Sequence, residues 1–262
     1  MCVLLSCCVS APAVTVSSDE IPSEIEHPSP ARIQVAIKTP PGLEDIERLD
    51  LFIYEEGGVQ QLVSHTRHNR PAGIIELDAS SSPVLFAAVA NCPFEFNTEA
   101  LKLYSSLESL SFNLSDDLGA QPVLTGLATA GQSEDTFIIA IEPLRAEIRL
   151  RSVTNRYGGD SLIEEPKARL SGINTACEAF RWSGWYGSEP SDTPWQPLPC
   201  WIGLYTQYPG TTLYCYPNDA SQGPGAAFLE LSYRFEGRDM TKRITLPRVG
   251  RGETIGIDVD LP

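Results

Sequence analysis

Apolar residues recur at every second position through most of this chain, and clusters of Gly or Pro cut the recurrence at short intervals. Successive side chains of a strand point to opposite faces, so this period predicts strands with one buried face. Ile33, Val35 and Ile37 alternate with Arg32, Gln34 and Lys38, and Pro40-Pro41-Gly42 ends the run. Leu49, Leu51 and Ile53 alternate with Asp50, Phe52 and Tyr54. Glu55-Glu56-Gly57-Gly58 then predicts a hairpin into Val59–Ser64. Ile74–Leu77 and Val84–Ala90 follow, the second apolar enough to be buried on both faces. One helix is predicted over Thr98–Phe112, because Leu103, Leu107, Leu110 and Leu114 fall on one helical face and Asn97 or Thr98 can cap it. Further strands are expected at Pro122–Thr129, Phe137–Ile141 and Glu147–Val153.

Tyr157-Gly158-Gly159-Asp160 reads as a domain boundary. Beyond it, Ala168–Gly172, Trp201–Tyr205, Thr212–Tyr216, Ala227–Phe235, Lys242–Leu246 and Thr254–Leu261 read as strands. About six strands per half, with turn signals at roughly 8–12-residue spacing, predict an all-β chain of paired sandwiches. The expected division is 1–31 as a signal remnant and tether, 32–157 as a first sandwich and 158–262 as a second.

Composition narrows the function. With 34 Asp and Glu against 19 Lys and Arg, the net charge is −15, which argues against nucleic acid and against a basic membrane-docking face. Gly and Pro, 20 and 21 residues of 262, favour turns over long helices. Three histidines (His27, His65, His68) are few for a histidine-based catalytic or metal centre. There is no Gly-x-Ser-x-Gly elbow, phosphate loop or dinucleotide fingerprint. The reading is therefore of a protein without catalysis, cofactor or metal.

Leu4-Leu5-Ser6-Cys7 fits the pattern that precedes a lipidated cysteine, which predicts export and an acyl anchor at Cys7, with Cys8 second. The basic n-region and long apolar h-region of a secretory leader are missing, so an upstream leader or a plain Cys-rich end are the alternatives. Residues 9–31 are rich in Ser, Pro and acid, a composition that makes a spacer and not a core.

Four stretches together resemble the fimbrillin superfamily, the surface lipoproteins and pilus subunits of Bacteroidetes. They are Arg48–Gly58; Pro122–Gly126 with Ile141–Ile148; Leu213–Asn218; and Ile244–Arg248 with Thr254–Val259. Glu147 stands where that family often has Lys, and Pro217 where it has an acid. The resemblance implies two tandem transthyretin-like Greek-key β-sandwiches with one short helix in the first. It also implies an outer-membrane, surface-exposed lipoprotein acting in a fimbrium. Its partners would be other fimbrial subunits by strand addition, and host or bacterial surface proteins or glycans through adhesion. Stalk subunits of this family lose their first strand by cleavage after a basic residue. Here Lys38 and Arg48 are the early candidates, and neither sits in an obviously long loop. That favours an anchor or accessory subunit. The alternative is a glycan-binding lipoprotein of a polysaccharide-uptake system.

All four tryptophans and five of nine tyrosines fall within residues 182–216. They either pack the second core or form a contact patch, for which Trp185, Tyr186 and Trp195 are the candidates because Gly, Ser and Pro surround them. Cys200 and Cys215 bracket an expected hairpin at Pro209-Gly210, so a cross-strand disulfide and free thiols are both open. His65-Thr66-Arg67-His68 reads as a surface segment, and Asp258 with Asp260 as a solvated strand face.

Overall fold

The computed structural model describes residues 32–71, 73–78, 84–130, 136–157, 162–181, 189–199 and 205–262. In chain order the strands are β1 (Arg32–Lys38), β2 (Arg48–Glu55), β3 (Leu62–Asn69), β4 (Ile74–Asp78), β5 (Val84–Ala90), β6 (Ser111–Asn113), β7 (Leu124–Ala130), β8 (Thr136–Ala140) and β9 (Glu142–Pro143). The second half holds β10 (Ala146–Asn155), β11 (Ile163–Ser171), β12 (Ala176–Glu178), β13 (Gln196–Pro197), β14 (Thr206–Gln207), β15 (Thr211–Cys215), β16 (Phe228–Phe235), β17 (Arg238–Thr245) and β18 (Thr254–Leu261). The protein is predominantly β, as its alternating pattern requires.

The first half is a three-stranded sheet, β4-β1-β8, against a five-stranded sheet, β3-β2-β5-β7-β9. Strand parity builds the core between them. Leu49, Leu51 and Ile53 of β2 face inward with Phe86, Ala88 and Ala90 of β5, against Ile33 and Val35 of β1 and Phe137 and Ile139 of β8. The opposite parity, Phe52, Tyr54, Ala87 and Val89, joins a second core. β5 is thus buried on both faces, and its run of small residues (Ala87, Ala88, Ala90) fits that crowding.

The second half sets β10, flanked by β18 on one edge and by β14 and β15 on the other, against the sheet β13-β11-β16-β17. Ile148 and Leu150 of β10 point inward, and Arg149 and Arg151 outward, as their alternation predicts, while a register shift between Leu150 and Ser152 brings Val153 inward as well. β14 and β15 both pair with β10 end to end and not with each other. The hairpin expected at Pro209-Gly210 is therefore a turn along one edge of β10.

The expected long helix is not formed. Thr98–Leu101 is a 3-10 turn capped by Asn97, whose Oδ1 accepts from the Glu99 amide at 3.2 Å. Only Tyr104–Glu108 is α-helical. Leu107 and Leu114 are buried, but Leu103 is 37 % exposed at the N-cap. Ser111–Asn113 is extended instead, because it pairs with β12 across the two halves (Phe112 opposite Cys177). Residues 32–262 form one compact unit.

Candidate interaction surfaces

β1 is the central strand of its sheet. It lies between β4, antiparallel, and β8, parallel, with Val35 opposite both Ile75 and Phe137. Its inward side chains complete the first core, Ile33 and Val35 being 9 % and 0 % exposed. A strand held by backbone bonds on both edges and by alternate pockets on one face is the geometry of strand addition. Lys38 closes the strand and is exposed. Arg48, the other early basic residue, is anchored: its guanidinium donates to the carbonyls of Cys92 and Phe94 (2.7 Å for the latter) and pairs with Glu95 at 3.2 Å.

Cys7, Trp185, Tyr186 and Cys200, expected as lipidation, contact and disulfide residues, lie outside the described residues, as do Trp182 and Trp201. Trp195 is half-buried just before β13, with the Arg169 guanidinium 4.5 Å from its ring centroid. The described tyrosines of the aromatic segment divide: Tyr205 and Tyr208 are 76 % and 79 % exposed, while Tyr216 is fully buried. Cys215 is a buried free thiol opposite Ala146 of β10, and burial pushes its pKa up to about 12, which makes it unreactive. Cys92 and Cys177 are likewise buried free thiols.

Three of the buried carboxylates escape the sequence pattern. Asp50, on the outer parity of β2, is fully buried and accepts from His65 Nε2 and Arg67 Nε, both at 2.8 Å. His65 also stacks on Phe52 at 4.5 Å between centroids. The segment read as a pair of surface histidines is thus, at His65, the cover of a buried carboxylate. Alternation places an acid and a histidine on facing strands but cannot show that residues 92–96 close over them.

Glu230 of β16 is 6 % exposed and lies between Arg169 of β11 and Arg243 of β17, whose Nε atoms donate to its two oxygens at 2.7 and 2.8 Å. Burial would raise its pKa, but the hydrogen bonds from Arg169 and Ser171 and the charges of both arginines hold it below the usual carboxylate value. Asp258 and Asp260 behave as expected of a solvated face: both are exposed and pair with Arg151 and Arg156.

Asp117 is the third. The 3-10 turn Leu114–Asp117 carries it inward, where Oδ1 accepts from the Val123 amide at 2.7 Å and lies 3.9 Å from Arg145 Nη1. Burial is the largest cause raising its pKa, to about 6; the Val123 amide, the Arg145 charge and the Tyr216 hydroxyl oppose it. Arg145 is itself 5 % exposed, donates to the Gly119 carbonyl at 3.0 Å and lies over Tyr214 at 4.3 Å. Arg145, but not Asp117, lines a cleft of about 530 Å³ together with Pro40, Pro41, Glu147, Tyr214 and Arg251. Its arginines are engaged from within: Arg149 bonds Glu147, and Arg251 donates to Thr125 Oγ1 and the Ala179 carbonyl. Among the described residues no cluster of three His, Cys, Asp or Glu is arranged to hold a metal.

No protein-family model matches the chain, and no curated protein does. Solved structures do. A protein assigned to cell adhesion from Parabacteroides distasonis aligns with a TM-score of 0.65 at 12 % identity, over 88 % of this chain and 89 % of that one. A fimbrial assembly protein from the same organism aligns with a TM-score of 0.58 at 15 % identity, over 87 % and 90 %. The fimbrilin of Porphyromonas gingivalis aligns with a TM-score of 0.55 at 14 % identity, over 79 % and 72 %. The fold is that of these fimbrial and cell-adhesion proteins, a fimbrillin-like architecture.

Proposed function

We propose that this protein is a non-catalytic surface lipoprotein of a fimbrium, an anchor or accessory subunit that contacts other subunits through β-strands. In this reading, residues 32–157 and 158–262 are two transthyretin-like Greek-key sandwiches, and Cys7 carries the acyl anchor that holds them at the outer membrane. The observation that carries it is β1: a strand bonded on both edges and buried on one face, which a neighbour's strand of the same pattern can replace. The anchored Arg48 supports the accessory assignment, since it withholds one of the two early basic residues from a protease.

Trypsin treatment of the pure protein tests the subunit type. The accessory reading predicts a monomer on an unheated denaturing gel, whereas a ladder of polymers identifies a stalk subunit. Labelled palmitate tests the anchor: incorporation is expected in the wild type and lost in Cys7→Ala, and equal labelling of both would rule out Cys7.

A further inference from the structure

A row of charged side chains crosses the outer face of the sheet β13-β11-β16-β17. Arg169, Glu230 and Arg243 stand opposite one another on three adjacent strands. Each guanidinium takes one oxygen of Glu230, and each lies on an aromatic ring: Arg169 on Trp195 at 4.5 Å and Arg243 on Phe228 at 4.1 Å. Asp192 adds a carboxylate 3.2 Å from Arg169 Nη1.

The row is fixed before any partner arrives. The Trp195 segment is tied to β11 by Thr193, whose amide donates to the Leu170 carbonyl at 2.8 Å and whose Oγ1 accepts from the Leu170 amide at 2.9 Å. Asp192 Oδ1 accepts from the Gly172 amide at 3.1 Å, and the Leu198 amide donates to the Pro166 carbonyl at 2.9 Å. Both guanidinium groups are clamped by Glu230 and by stacking, so little side-chain entropy remains to be lost on binding. Yet the row reaches water: the side chains of Arg243 and Asp192 are 56 % and 45 % exposed. A ladder that served only the sheet would need neither a tryptophan bound at its open end nor a second acid in solvent.

We propose that this row binds an uncharged saccharide. The exposed Arg243 guanidinium and Asp192 carboxylate present paired donors and acceptors at the spacing of vicinal hydroxyls, and the half-buried Trp195, held from one side by Arg169, adds apolar indole surface for a sugar's C–H groups. Two arginines and two acids leave the row electrically neutral, while the chain's −15 charge repels polyanions. The assignment stands apart from the fimbrial reading and does not depend on strand exchange.

Native affinity electrophoresis tests it, because the acidic chain migrates readily. The full chain is run through gels containing a soluble mannan, a β-glucan or a galactan, with polygalacturonate as the charged comparison. At least one neutral polymer is expected to retard the wild type. Trp195→Ala and Arg243→Lys should weaken that retention about tenfold or more, the second keeping the charge but losing the fork. Arg151→Ala, on the other sheet of that half, should leave it unchanged. Melting curves of Arg243→Lys separate lost binding from lost folding. Retardation by none of the neutral polymers, retention by polygalacturonate alone, or retention that survives both variants in folded protein would overturn the proposal.

Discussion

At the residue scale, two positions carry sharp expectations. Gly126 of β7 has no room for a side chain: a Cβ there would stand 2.2 Å from the Ala140 carbonyl oxygen. Backbone atoms cannot swing aside as a side-chain tip can, so Gly126→Ala should destabilise by about 2–3 kcal/mol, read by urea unfolding. Asp117 sets a pH dependence of unusual sign. Its folded pKa, raised mainly by burial to about 6, lies above the ordinary 3.8, so the native state binds the proton more tightly than the unfolded chain. Its contribution therefore strengthens as pH falls from about 6 toward 4, by up to about 3 kcal/mol, and is lost as pH rises again. Asp117→Asn should flatten stability over that window. A wild-type profile in which this residue's contribution falls with acid would contradict the burial argument.

At the element scale, Glu230 behaves in the opposite sense. Arg169, Ser171 and Arg243 hold its pKa below the ordinary value, so its contribution is present above that value and lost as acid protonates it. Glu230→Ala leaves two guanidinium groups, on the strands either side of β16, facing a void. It should cost about 2 kcal/mol at pH 7, less than for a deeply buried pair because both arginines reach water. The ribbon of β6 and β12 offers another test. Phe112 is 1 % exposed between the halves, and Phe112→Ala should cost about 3–5 kcal/mol in chemical denaturation.

That ribbon also shows where sequence reading ends. A long alternation such as Thr254–Leu261 fixes its own strand, because the period of two is local and the burial follows from it. The leucines at 103, 107, 110 and 114 carry an equally regular helical spacing, yet only Tyr104–Glu108 obeys it. Ser111–Asn113 is drawn out by a partner more than sixty residues away, which no local period encodes. The candidate surface was legible in the same uneven way. Trp195 stood out as an aromatic among loop residues, but its companions Arg169, Glu230 and Arg243 are scattered over three strands and meet only through register. Asp50 and Asp117 were hidden for a related reason: each is buried by segments distant in sequence.

At the scale of the whole molecule, the proposal of strand contacts between subunits rests on the first strand, which pairs on both edges and closes the first core. Its core side chains, Ile33 and Val35, are anchored only by their pockets and by two ladders of backbone bonds. The most direct measurement uses a chain that begins at Thr39, refolded with and without a synthetic peptide spanning residues 30–40. Without the peptide, the account predicts that the part of the melt due to the first core is lost, since that core lies open between β4 and β8. With the peptide, it predicts a one-to-one complex and a recovered transition, and no recovery from a peptide carrying Val35→Asp. A truncated chain that melts like the intact protein and ignores the peptide would contradict it.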